Sequence, residues 1–393
     1  MRELAQKLAQ KLVLGSLVLG SLYVGSTQLA AAPIQGKPDQ VFYINPRGEV
    51  RTDNGLVESN TLTETVITNL DGDEKKRKSA SVVRVVFGRV PAAYSDGLSY
   101  MQRGDFENAA AKFRLAAGDG ETRPAVQAQA RLEAARALVE QAKVDQTVFG
   151  EAKSELETFL ADHATNREVP AARMLHGRTT LLSGDSVGAL ASYRGLFGEG
   201  ESGTPTPGYS LALCYEAGIA AVDTALMLGN ADAAREILSS IETSLPGVLA
   251  GLEEEDPNRM RLLAVQASAR LGEGWVLLAS EQTSQAVTFF RTQVQNAQAD
   301  EAELRFGAQL GFGMALLASG KAREAQLELA KVSALDFSSR DRAAKALIGL
   351  ANCALSLPDS NARSQAKAWV TTVLERYADT PAVLDARDLS KKL

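Results

Sequence analysis

The residue types that usually carry catalysis are scarce in this chain, and their spacing matches no common catalytic motif. The sequence contains two histidines, His163 and His176, and two cysteines, Cys214 and Cys353. No HExxH, CxxC, GxSxG or phosphate-loop pattern occurs. A zinc site needs several convergent nitrogen, sulfur or oxygen ligands. We therefore predict no metal site, no cofactor and no enzymatic activity.

Carboxylates offer the remaining route to an enzyme. A hidden pair such as Glu216 and Asp223 could act as general acid and base. The acidic run at residues 253–256 is interpreted as a solvated loop between helices. Gly311 and Gly313 look like the start of a dinucleotide fingerprint, but no strand precedes them, so they are interpreted as packing glycines inside a helix.

A basic run, Lys75-Lys76-Arg77-Lys78, could be read as a nucleic-acid patch. The formal net charge of the whole chain is -6, which disfavours a polyanion as a general partner. We interpret the run as a solvated hairpin tip that Asp71, Asp73 and Glu74 balance, and we predict no nucleic-acid partner.

Small and aromatic residues recur at fixed offsets through most of the chain. In GDFENAAAKFRLA, residues 104–116, glycine is followed by alanine, phenylalanine and alanine at helical spacings. The same offsets return at Gly177, Gly184, Ala189, Tyr193 and Leu196, and at Gly313, Gly320, Ala325, Leu329 and Val332. A variant at Gly274, Ala286 and Phe290 has Glu281 at the turn. The pattern predicts pairs of antiparallel helices that approach closely at small residues.

These residues resemble the tetratricopeptide repeat family over residues 91–380. The resemblance implies a mostly α protein, a right-handed α-solenoid of about seven helical hairpins, with residues 381–393 as a C-terminal cap. The spacings from Gly274 to Gly313 and from Gly313 to Gly349 exceed the family's 34 residues, so longer helices or loops are expected.

The hairpins also bear on the cysteines. An exported chain with two cysteines suggests a disulfide. However, Cys214 and Cys353 fall in first helices three hairpins apart, which is beyond the distance that a disulfide can bridge. We predict two buried free thiols.

Residues 38–90 differ in composition from the rest of the chain and predict a small antiparallel β module, either a sheet or a barrel. Short runs rich in β-branched residues, such as VFYI at 41–44 and SVVRVVFG at 81–88, alternate with turn signals. Turns are expected at 45–48, at Asp53-Asn54-Gly55 and at 71–74. The segment resembles the Sm-like or SH3-like modules that precede helical repeats in some exported bacterial proteins.

The family resemblance implies that the first helix of each hairpin lines a concave face that binds a protein or peptide. The residues expected on that face are Tyr94, Leu98, Met101, Met174, Arg178, Asp223, Trp275 and Met314, with Leu181, Leu271 and Leu310 among their neighbours. Two interpretations stay open. The apolar stripe receives an amphipathic segment of a partner, or the helices wind tightly enough for the stripe to be their own core.

The N-terminus predicts export. Positive charges at Arg2, Lys7 and Lys11 precede an apolar run from Leu12 to Val24, as in a signal peptide. We assign residues 1–32 to a signal peptide or N-terminal anchor, with cleavage after Ser26 or after Ala32. The expected location is the periplasm or cell envelope, with membrane contact only through this segment if it is uncleaved.

Together these features predict an exported, non-enzymatic scaffold that binds a protein or peptide partner and organises an envelope complex. The alternative is a protein that binds the cell wall or another carbohydrate through the β module.

Overall fold

A computed structural model describes residues 37–69, 71–254, 256–298 and 300–393. The predicted signal segment and both of its cleavage sites lie outside these residues. The chain forms two compact units. Among the described residues, unit 1 comprises those from 37 to 141 with Ser154–Ala172 and Glu253–Met260, and unit 2 comprises Ala142–Lys153, Arg173–Leu252 and Arg261–Leu393.

Unit 1 begins with a five-stranded antiparallel sheet, and its spatial order is β4-β3-β2-β1-β5. The strands are β1 (Asp39–Ile44), β2 (Val50–Asn60), β3 (Glu64–Asn69), β4 (Glu74–Lys78) and β5 (Val82–Val86). The turns predicted at 45–48 and 71–74 are confirmed, with φ of 77° at Gly48 and 92° at Gly72. Glycine adopts this left-handed backbone without steric cost.

The turn predicted at Asp53-Asn54-Gly55 is wrong, because β2 runs straight through it. Asp39 of β1 pairs with Gly55, and Gly55 also pairs with Asn69 of β3. A Cβ on Gly55 would lie 2.0 Å from the carbonyl oxygen of Thr68. This glycine therefore allows two backbones to approach closely instead of allowing a turn.

The basic run is not a hairpin tip either, because it forms strand β4. Lys75 and Arg77 lie on one face and reach Asp53 at 3.4 Å and 2.7 Å. Lys76 on the other face lies 3.8 Å from Glu64. Lys76 also lies 3.4 Å from Glu74, so the predicted balance by Glu74 is confirmed. Asp53 of β2 and Glu64 of β3 supply the other carboxylates.

Fifteen helices follow the sheet in the described part of the chain. Their bounds are α1 Ala92–Gln102, α2 Phe106–Gly118, α3 Pro124–Ala142, α4 Phe149–Asp162, α5 Val169–Leu182, α6 Ser186–Phe197, α7 Leu211–Met227, α8 Ala231–Ala250, α9 Pro257–Ala279, α10 Thr283–Asn296, α11 Ala302–Ala318, α12 Ala322–Leu335, α13 Arg340–Leu355, α14 Ala362–Arg376 and α15 Ala382–Ser390. The structure confirms the predicted fold class of helical hairpins behind a small antiparallel sheet.

A single turn geometry joins the helices of five hairpins. The second residue after the first helix has a positive φ: 74° at Gly104, 96° at Gly184, 70° at Gly229, 60° at Glu281 and 78° at Gly320. The next backbone N–H then donates to a carbonyl five residues earlier, as from Asp185 to Thr180 at 3.1 Å. Such bonds satisfy carbonyls that a helix end leaves free.

Glycines inside the first helices make room for rings on the second helices. A Cβ on Gly97 would lie 2.8 Å from the ring of Phe113, and one on Gly177 would lie 2.8 Å from the ring of Tyr193. Gly311 is equally close-packed against Phe290 within helix α11, so its interpretation as a packing glycine is confirmed. The recurring skeleton is therefore a packing pattern.

Both cysteines are free and buried, as predicted. Cys214 lies in α7 and Cys353 in α13. Burial raises the pKa of each thiol to about 11, so both are poor nucleophiles at neutral pH. Among the described residues, no helix is both long and apolar enough to cross a bilayer.

Candidate partner-binding face

In unit 1, the predicted site residues lie on α1 and are only partly accessible. Tyr94 is 6% exposed, and its ring meets that of Phe113 edge-on with centroids 5.5 Å apart. Burial raises the pKa of the Tyr94 hydroxyl above its usual range. Leu98 and Met101 are half-buried. The Tyr94 ring is therefore part of the core between α1 and α2.

In unit 2, five predicted residues on the first helices of hairpins share one property: each is half-buried. We call them the first-helix face: Met174 and Arg178 on α5, Asp223 on α7, Trp275 on α9 and Met314 on α11. Three neighbours that were expected beside them, Leu181, Leu271 and Leu310, are core residues with 3% exposure or less. They lie one helical turn along the same helices, where the hairpins bury them.

The apolar part of the face is held by the packing beneath it. The Trp275 ring lies edge-on to that of Phe290, with centroids 5.1 Å apart. Met314 packs towards the next first helix, since a Cβ on Gly349 would lie 3.0 Å from the methionine sulfur. Part of each side chain is thus held by core contacts and part is exposed to solvent, as an anchor for an apolar ligand group requires.

The charged part of the face is a cluster that the sequence did not reveal. Lys345 of α13 places its ammonium 3.2 Å from Asp223 and 2.8 Å from Asp341. Burial opposes the charge of Lys345, but the two carboxylates outweigh it and raise its pKa. Asp385 of α15 belongs to the same surroundings, and burial raises its pKa although Lys345 opposes this. We call Asp223, Asp341, Lys345 and Asp385 the charged cluster.

Only one half of this cluster had a sequence signal. Asp341 and Lys345 are four residues apart on α13, which is the spacing of a local helical ion pair. The link from Lys345 to Asp223 spans 122 positions, so it depends on how α13 and α7 pack. Sequence periodicity carries no information on such distant pairs.

Arg178 is committed to the C-terminal part of unit 2. Its Nε donates to the carbonyl of Asp379 at 3.1 Å, and its guanidinium lies 3.7 Å from the Asp379 carboxylate. Arg340 donates to the same carboxylate at 2.9 Å. Although burial opposes the charge, these hydrogen bonds and charges hold the pKa of Asp379 below its usual range.

The residues that could have formed a catalytic site have other partners. The Glu216 carboxylate accepts from Arg261 at 2.7 Å and 2.5 Å, whereas Asp223 binds Lys345. The two carboxylates are thus neutralised separately. The His163 ring is tilted by 45° against the Phe159 ring with centroids 5.5 Å apart, and burial lowers the pKa of His163. Among the described residues, no three His, Cys, Asp or Glu side chains form a group that could hold a metal.

Unit 2 also has an open depression of about 630 Å³ between α8 and the loop that precedes α7. Its lining consists of Gly198, Glu201, Ser202, Glu236, Ser239, Ser240, Thr243 and Ser244. The hydroxyl of Ser240 donates to Glu201 at 2.5 Å, and Glu236 accepts from Arg194 at 2.8 Å. Its polar groups are largely satisfied among themselves, and none of them was predicted as a site.

The architecture defines a class, namely helical-hairpin repeat proteins with an N-terminal antiparallel sheet. No family model matches the chain, and no curated protein matches it. Among solved structures, the chain is similar to the crystal structure of a tetratricopeptide repeat protein from Parabacteroides merdae ATCC 43184. The likeness has 14% sequence identity and a TM-score of 0.47, and it covers 71% of this chain and 90% of that one.

Proposed function

We propose that this protein is an exported, non-enzymatic scaffold that binds a protein or peptide partner through the first-helix face of unit 2 and organises an envelope complex. One observation carries the proposal: Trp275 and Met314 pack against the apolar core of their hairpins, yet both side chains stay half-buried. A face that served only as core would bury both side chains.

The chemistry of the face fits an amphipathic segment. Tryptophan and methionine provide large, adaptable apolar contacts, which dominate binding energy at many interfaces. The charged cluster holds three carboxylates and one ammonium, so it favours a partner that presents basic groups beside its apolar side chains. Charges at an interface set the orientation and specificity of the partner more than its affinity.

The binding proposal is tested by quantitative capture from envelope extracts with the full-length chain. We expect Trp275→Ala with Met314→Ala to lower recovery of the enriched partner about 30- to 900-fold, since losing two anchors of about 1 to 2 kcal/mol each has that effect. Leu327 and Leu335 on α12 are 67% and 59% exposed, so Leu327→Ala with Leu335→Ala is the matched control. Equal recovery of the partner by both double variants would contradict the proposal that it binds the first-helix face.

The export proposal has its own test. Cell fractionation with N-terminal sequencing of the chain from the envelope should give a new terminus at residue 27 or 33, as the two predicted cleavage sites require. A retained initiator methionine on chain found only in the cytoplasmic fraction would overturn export, and it would leave the binding face unaffected.

A further inference from the structure

The C-terminal end of unit 2 contacts the beginning of the same unit. Residues 377–393, which include α15, are here called the C-terminal segment. The guanidinium of Arg387 donates to the carbonyl of Leu182, the last residue of α5, at 2.9 Å. Arg178 on α5 binds the carbonyl of Asp379. Leu384 packs against the apolar cluster that α5 to α9 build. The segment thus contacts Arg178 of the first-helix face.

One side of α15 is attached firmly. Ala382 and Ala386 are 2% and 0% exposed in an apolar cluster with residues of α13 and α14. On the same side, Arg363 of α14 donates to the carbonyls of Leu393 and Lys392 at 2.8 Å and 3.2 Å. This contact is apolar at its centre and hydrogen-bonded at its end, as a permanent helix contact should be.

The other side of α15 is attached less completely. Among the described residues, the buried Nε of Arg387 and the buried hydroxyl of Thr180 on α5 have no hydrogen-bond partner. Leu384 is only half-buried. A buried polar group without a partner is unfavourable, because it has given up water and gained nothing. The contact between the C-terminal segment and α5 therefore contributes less to the stability of unit 2 than the contact with α13 and α14 does.

We propose that the C-terminal segment is a detachable occupant of the α5 part of the first-helix face. On detachment it stays on α13 and α14 but leaves α5, which breaks the contacts between Arg178 and Asp379 and returns the orphaned groups to solvent. The consequence for partner binding rests on the proposed function. A partner that needs Arg178 binds only the detached state, so its apparent affinity is proportional to the fraction of chains in that state.

The detachment itself can be measured without any partner. Both native thiols are buried with pKa values of about 11, so an introduced cysteine dominates labelling by a thiol reagent. Leu384→Cys reports the side of α15 that faces α5 to α9, and Ala386→Cys reports the side that faces α13 and α14. In the full-length chain we expect Leu384→Cys to label at least tenfold faster than Ala386→Cys, relative to each in denaturant.

Removing the contacts to α5 should then act on one side only. Adding Arg178→Ala and Arg387→Ala should speed labelling at Leu384→Cys by a further tenfold and leave Ala386→Cys unchanged. Arg363→Ala, which loosens the opposite side, is the control and should speed labelling at Ala386→Cys instead. Arg178→Lys alone is a milder variant that keeps the charge but not the forked donor pair, and it should give a smaller acceleration at Leu384→Cys.

Two results would overturn the proposal. One is an equal acceleration at the two cysteines when Arg178 and Arg387 are both replaced, which shows that the segment moves as a whole. The other is a rate at Leu384→Cys that neither Arg178→Lys nor the double arginine variant changes. Failure to capture a partner would leave both labelling results standing, so the two proposals fail separately.

Discussion

Glu281 shows how much a single residue can depart from the repeat without changing its fold. It occupies the left-handed turn position with φ of 60°, where four other hairpins have glycine. A side chain in this region crowds its own backbone, which costs about 1 to 2 kcal/mol. The backbone hydrogen bonds of the turn are nevertheless made, with Gln282 donating to the Leu277 carbonyl at 2.9 Å.

We therefore expect Glu281→Gly to stabilise unit 2 by about 0.5 to 1 kcal/mol, because relief of the strain exceeds the extra chain entropy of glycine. Chemical denaturation monitored by circular dichroism measures this change. The reciprocal variant Gly320→Glu places the same side chain at φ of 78° and should destabilise unit 2. Unchanged midpoints in both variants would mean that this turn does not constrain the fold.

At the scale of an element, a buried ion pair links the sheet of unit 1 to the beginning of α3. Asp39 of β1 is fully buried and accepts from Arg123 at 2.7 Å and 2.9 Å. It also accepts the backbone N–H groups of Val57 at 2.8 Å and Gly88 at 2.7 Å. Four donors thus converge on one carboxylate, which joins β1, β2 and the beginning of α3.

Asp39→Ala should destabilise unit 1 by about 3 to 5 kcal/mol, because it leaves the Arg123 guanidinium without its partner in a buried site. Thermal unfolding measured on the full-length chain tests this. Arg51 and Glu49 form an ion pair 2.6 Å long whose side chains are 58% and 50% exposed, so Arg51→Ala is the control and should barely change the midpoint. Similar midpoints for both variants would contradict the assigned role of Asp39.

The elements also show what the sequence could predict. The hairpins follow from Gly97 under Phe113 and Gly177 under Tyr193, since small and large residues at helical offsets specify this packing locally. The predicted turn at 53–55 failed because its residues are equally suited to a close backbone approach inside a strand. Turn propensity describes a residue's own backbone, and strand pairing overrode it. The charged cluster was missed because Asp223 and Lys345 meet only after the hairpins pack.

For the whole of unit 2, acidic pH should be destabilising. Burial opposes the charge of Asp336, but hydrogen bonds from Arg342 at 2.6 Å and from Ser338 hold its pKa below the usual value. The pKa of Asp379 is lowered in the same direction. A carboxyl group with a lowered folded-state pKa contributes stability above its unfolded value of about 3.9, and this contribution is lost as pH falls.

We expect the unfolding midpoint of unit 2 to fall steeply when the pH drops below about 4, because the unfolded chain then binds more protons than the folded one. Asp336→Asn should lower the stability of unit 2 at neutral pH and make its unfolding midpoint depend less on pH below about 4. Denaturation curves at a series of pH values measure both effects. If the midpoint of the variant falls with pH as steeply as that of the unaltered chain, Asp336 contributes nothing to the acid sensitivity.

Partner contact at the first-helix face is the central claim, and site-specific photo-crosslinking in living cells tests it most directly. A photo-reactive amino acid replaces Trp275 or Met314 on first helices, or Leu327 on a second helix, in the full-length chain. The proposed function predicts that positions 275 and 314 crosslink to the same protein and that position 327 does not. Crosslinks from position 327 alone, or from all three positions equally, would contradict it.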